Sequence, residues 1–142
     1  MRGKPMSTLL VKSGPPDADG RVLAVSPESA GWRYVGFEVF RLVPGVGLGR
    51  HVSDRETCVV VLSGHVHLRA EGNEWHGERD SVFDGPPTAI YVPPGIAWTA
   101  GGAGEIAVCT ARRPRPAPSS VSWASGTSPA AREASRARSR TS

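Results

Sequence analysis

A chain of 142 residues has room for one domain with a real core. Its net charge of +4 hides a split: residues 1–111 hold ten Lys and Arg against twelve Asp and Glu, whereas residues 112–142 hold seven Arg against Glu133 alone. The longer part is mildly acidic and offers no electrostatic footprint for nucleic acid, and no apolar run is long enough to span a bilayer as a helix.

The first residues, MRGKPMSTLLVKSGPP, have a basic start but only the short apolar patch Leu9–Val11, less than a secretory signal needs. Residues 1–19 therefore read as a flexible segment, and the expected location is cytoplasmic. From residue 20 to residue 111 short apolar runs alternate with turn signals. The runs are RVLAV, YVGFEVFRL, CVVVLSG, HVHLRA, SVF, AIYV and EIAVCT; the turns are PES, PGVGLG, EGN, DGPP, PPG and GGAG. In the second run Val35, Phe37 and Val39 face one way and Tyr34, Phe40 and Leu42 the other, which suits a strand covered on both sides. No segment sustains a helical period. Six or seven short strands at this spacing predict an all-β domain, a small barrel or jelly roll. Cys58 and Cys109 lie inside strand-like runs and read as reduced core thiols of a cytosolic protein rather than a disulfide.

From Arg112 onward the chain is almost entirely Arg, Ser, Ala and Pro, with Val121 and Trp123 as its large apolar groups. Such a composition buries too little surface to offset its ordering entropy, so residues 112–142 are expected to be a disordered tail. Limited trypsin digestion should trim it back toward Ala111 while the barrel persists, because open arginine-rich chain is cut first. A tail that resists trypsin as long as the barrel does would contradict the reading.

Spacing makes the barrel more specific. The pattern G-x5-H-x-H-x3,4-E-x6-G, followed by G-x5-P-x-G-x2-H-x3-N, marks the cupin fold; here Gly45, His51 and Gly64 fall at the required intervals, and Pro93 and Gly95 supply the centre of the second motif. The match keeps turn residues and loses ligands: Ser53 stands at the second histidine position, Thr57 at the glutamate, Trp98 at the last histidine and Gly102 at the asparagine. A catalytic metal usually takes about three protein ligands, and Trp98 offers an indole N–H with no lone pair. Glu56 is one step from the glutamate position, which on a strand turns it to the opposite face. His65 and His67, two apart on one face, form a rival set with His76 across a hairpin, although solvent-facing histidines are the simpler expectation. Asp54, Arg55 and Glu56 read as a local ion-pair network, with Arg55 as a candidate for a sugar carboxylate.

The blocks SPESAGWRYVGFEVFRL (Ser26 to Leu42), DRETCVVVLSG (Asp54 to Gly64), RDSVFDGPPTAIYVPPG (Arg79 to Gly95) and EIAVCTA (Glu105 to Ala111) resemble the N-terminal half of the 5-deoxy-glucuronate isomerase family of myo-inositol catabolism. The likeness spans about residues 20–111 and is read to stop at Ala111. It implies a two-cupin chain that interconverts an aldose and a ketose form of a sugar acid, 5-deoxy-glucuronate and 5-dehydro-2-deoxy-gluconate. In that family a zinc-type divalent metal sits in the C-terminal barrel, on a His-x-His, a glutamate and a further histidine. The resemblance therefore assigns no catalytic residue, no metal ligand and no cofactor to residues 20–111. Alone, the chain is expected to be inactive; the alternative is a non-catalytic sugar-binding or assembly cupin. A homo-oligomer is compatible with either reading, and neither nucleic acid nor membrane is an expected partner.

Overall fold

The computed structural model describes residues 10–51, 54–112 and 121–124. In chain order these form β1 (Arg21–Val25), α1 (Pro27–Ala30), β2 (Val35–Leu42), β3 (Leu48–His51), β4 (Arg55–Ala70), β5 (Asn73–Arg79), β6 (Ala89–Val92), β7 (Ala97–Arg112) and β8 (Ser122–Ala124). All ladders between the strands are antiparallel, in one sheet ordered β1-β2-β7-β4-β6-β8, with β3 added to β7 and β5 to β4. The all-β expectation holds, and the sheet curls round an apolar interior as a cupin-type barrel.

The spine is the pair β4–β7, sixteen residues each. A straight strand of that length would extend roughly 50 Å at about 3.3 Å per residue, so both must bend to close a barrel. The bend lies where the register shifts between Val61 and Ser63, a bulge that adds one residue to β4. An extra residue inverts the side-chain alternation. Thr57, Val59 and Val61 are buried before the bulge, and Val66, Leu68 and Ala70 after it.

Here the structure corrects the strand list. CVVVLSG and HVHLRA are one continuous strand, and the phase inversion across Leu62 is what made them look like two. GGAG is no turn but the middle of β7. Gly64 (φ +83°) and Gly102 (φ +108°) let the two backbones press together: a Cβ on Gly102 would collide with the His65 carbonyl. SVF is not a strand either. Ser81 Oγ accepts a hydrogen bond from Phe83 N–H, and Arg79 donates to the Val82 and Gly85 carbonyls, so the segment winds into a turn that leaves Phe83 92% exposed. PES opens a single helical turn, α1, capped reciprocally by Ser26 and Ser29 and stopped by Gly31 in the left-handed region. β3 and β5, hidden in the turn-like PGVGLG and in a polar run, were missed.

The core gathers Phe40, Leu42, Leu48, Val59, Val61, Val66, Leu68, Ile90, Val92, Trp98, Ile106 and Val108 with smaller neighbours, and Trp75, Ile96 and Val121 pack against it. Most of residues 113–142 lie outside the described residues. Within the stretch read as a tail, Arg112 closes β7, Val121 touches the core and β8 pairs with β6. In the lead-in, Gly14 and Asp17 donate backbone hydrogen bonds to Val22 and Arg21.

Candidate functional site

The motif positions His51, Thr57 and Trp98 fall on β3, β4 and β7. β3 pairs with the first residues of β7, placing His51 opposite Ala97 and Arg50 opposite Trp98. Leu48 is buried, so His51, three residues on, falls on the outer face. His51 is exposed, with Nε2 3.0 Å from the Gly95 carbonyl oxygen. This corrects the motif overlay: the one retained histidine does not enter the barrel. Arg50 takes the inner side of β3, its guanidinium carbon 5.3 Å from the centroid of the buried Phe40 ring. Ser53 lies outside the described residues.

The interior itself is filled. Thr57 is 3% exposed and Trp98 2% exposed, and Trp98 belongs to the apolar core cluster. The Trp98 indole N–H is buried with no acceptor among the described residues, an arrangement costing about 1–3 kcal/mol. A hydroxyl and an indole N–H among hydrocarbon do not fit a divalent cation. Glu56 turns outward, as strand alternation requires, and its Oε2 accepts a hydrogen bond of 2.9 Å from Tyr91 Oη.

The rival histidine set does assemble on the outside. His67 and His76 are directly opposite on β4 and β5, with ring centroids 6.4 Å apart, and His65 is opposite Glu78, its Nδ1 3.8 Å from Glu78 Oε2. His67 is half-buried because its ring lies on Gly101 of β7, in the space a Cβ would need. The groove so formed has a volume of about 260 Å³. His65 and His76 are exposed, as the simpler reading expected. Glu74 sits 3.3 Å from His76 Nε2, and a hydrogen bond from Arg69 holds its carboxyl below the usual carboxylate range. Among the described residues no three His, Cys, Asp or Glu side chains converge to hold a metal ion.

In the Asp54–Arg55–Glu56 triplet, Asp54 pairs with the Arg112 guanidinium at 2.9 Å, and the Arg112 backbone N–H and the Arg55 guanidinium both donate to the Tyr34 carbonyl, at 3.2 and 3.5 Å. Glu56 accepts from Tyr91.

Sequence reasoning passed over the outer face of the main sheet. The register lines up Val25, Phe37, Cys109, Cys58 and Tyr91 across β1, β2, β7, β4 and β6. All five are half-buried and stand opposite to the core-facing positions, and Val35 extends the band with 45% exposure. The signal was present in the two-faced apolar pattern of residues 34–42. It predicted cover on both sides, and the barrel covers one.

The curled antiparallel sheet, its two-strand spine and its apolar interior define a cupin-type protein. That class is shared with protein YlbA from E. coli, whose crystal structure superposes with a TM-score of 0.57 over 84% of this chain and 50% of that one at 22% identity, a likeness of fold alone. The chain belongs to the KduI/IolB family, whose model matches residues 9–141. The match runs past Ala111, where the likeness was read to stop. Two curated relatives named 5-deoxy-glucuronate isomerase, from Geobacillus thermodenitrificans and Geobacillus kaustophilus, are each 39% identical over 111 residues, covering 75% of this chain. An IolB-like protein from Salmonella typhimurium LT2 superposes with a TM-score of 0.71 at 28% identity, over 82% of this chain and 44% of that one. The chain thus spans about 40% of the length of the curated relatives it matches.

Proposed function

We propose that this barrel is the non-catalytic, N-terminal-type half of a 5-deoxy-glucuronate isomerase, and that it turns over no substrate in isolation. The observation that carries the reading is the filled interior, with Trp98 and Thr57 where a cupin enzyme keeps its ligands. The relatives are named for isomerising 5-deoxy-glucuronate, and the family resemblance implies an aldose–ketose interconversion of that sugar acid. Such a reaction moves a proton between adjacent carbons. It needs a base at that proton and a cation or donor set at the developing oxyanion. The described interior residues supply no base, and the outward histidines, with Glu74 and Glu78 beside them, line an open groove rather than a cavity that excludes water. A divalent metal of zinc type belongs, in this reading, to a second barrel, and the setting is cytoplasmic.

The outer apolar band favours a second reading, an assembly role in which that face seats against another barrel. Both readings meet one experiment. The chain, purified without chelators, is analysed for zinc, manganese and iron, assayed for 5-deoxy-glucuronate conversion with each metal added, and sized by light scattering. The expected result is substoichiometric metal and no turnover; self-association would add weight to assembly. Stoichiometric metal with turnover that disappears in His51→Ala would overturn the proposal.

A further inference from the structure

The two cysteines, far apart in sequence, are neighbours in space. The β4–β7 register sets Cys58 directly opposite Cys109. Directly opposite residues of an antiparallel ladder have Cα atoms about 4.5–5.5 Å apart and project their side chains to the same face. A disulfide requires a Cα separation of about 4.4–6.8 Å. Alternation confirms the shared face: Thr57 and Val59 are buried on either side of Cys58, and Val108 precedes Cys109 into the core, so both sulfurs lie on the outer side of the sheet. Both cysteines are half-buried free thiols that line one shallow depression of about 140 Å³ with Val35, Tyr91 and Ala111. Burial pushes both thiols above the usual range, and the nearness of Cys109 adds to the rise at Cys58. A small reagent can reach them through that open depression.

We infer that Cys58 and Cys109 form a dithiol that exchanges with small aliphatic disulfides to close a cross-strand disulfide between β4 and β7. The exchange balances in two displacements. One cysteine, as thiolate, attacks a sulfur of the small disulfide; that S–S bond breaks, and the departing thiolate takes up a proton. The second cysteine loses its proton and attacks the mixed disulfide, releasing a second small thiol. Two protein thiols are oxidised and one small disulfide is reduced. The inference is independent of the isomerase reading, because it rests on the register of two strands and not on the barrel interior.

The test uses the full chain, reduced, freed of reductant and incubated with oxidised glutathione. The probe is intact mass after alkylation under denaturing conditions. The expected product is two hydrogen masses lighter than the starting chain, carries no alkyl group, and regains two alkylation sites after treatment with dithiothreitol. Cys58→Ser and Cys109→Ser should each stop at a stable single glutathione adduct. A wild-type product that accumulates one or two adducts without closing would overturn the inference. So would disulfide-linked dimers in place of the internal bond, or closure that proceeds only after the chain has been unfolded.

Discussion

Trp98→Ala should lower unfolding stability by about 3–5 kcal/mol, the range for deleting a large aromatic from a packed core. Trp98 is among the largest of the fully buried side chains and belongs to the core cluster built from β2, β3, β4, β6 and β7. The site has little room to collapse around the deletion, because the surrounding aliphatics are held by ladders on both sides. Trp98→Phe separates the two contributions of the ring. It keeps most of the volume and removes the indole N–H, which is buried without an acceptor. An unpaired donor of this kind costs about 1–3 kcal/mol, so its removal offsets part of the lost volume, and Trp98→Phe should fall within about 1.5 kcal/mol of the parent. Urea unfolding midpoints at unchanged m-value provide the measurement. A loss below about 1 kcal/mol for Trp98→Ala would mean that the ring is not part of the core.

What the sequence revealed of this fold followed the strength of local signals. Residues 34–42 alternate strongly enough to place β2, but with apolar residues on both faces the pattern left open that Phe40 and Leu42 are the ones facing the core. The long strands could not, because period-2 alternation survives only between bulges. The extra residue near Leu62 inverted the pattern, and the glycines at 101, 102 and 104 imitated a turn while serving close strand contact. β5 was hidden for another reason: Asn73–Arg79 is mostly polar and exposed, and β4 recruits it through backbone bonds. For the site, the motif spacing identified Thr57 and Trp98 as interior positions, and both are buried. It failed at His51, which has the right interval but, on β3, the wrong face. The thiol pair was illegible for want of a register: no spacing in the chain says that residue 58 meets residue 109.

Gly64→Ala should cost about 3 kcal/mol or more, and comparison with Gly72→Ala shows why. Both glycines have positive φ, +83° and +76°, where an L side chain pays about 1–2 kcal/mol for the left-handed conformation alone. At Gly72, in the turn between β4 and β5, an added Cβ meets nothing within 4 Å, so that conformational term should be the whole loss. At Gly64 the added Cβ would run into the Ala103 carbonyl, with Gly104 Cα at 2.6 Å and the Ala103 carbonyl carbon at 2.9 Å. These are backbone atoms of β7 and cannot rotate aside. The two strands would have to part at the bulge that bends the spine, which strains ladder bonds on both sides of it. Paired urea titrations of the two variants isolate the close-approach contribution as the difference between them. Equal losses at the two positions would mean that β4 and β7 separate freely there, and that the bend closing the barrel does not depend on glycine at position 64.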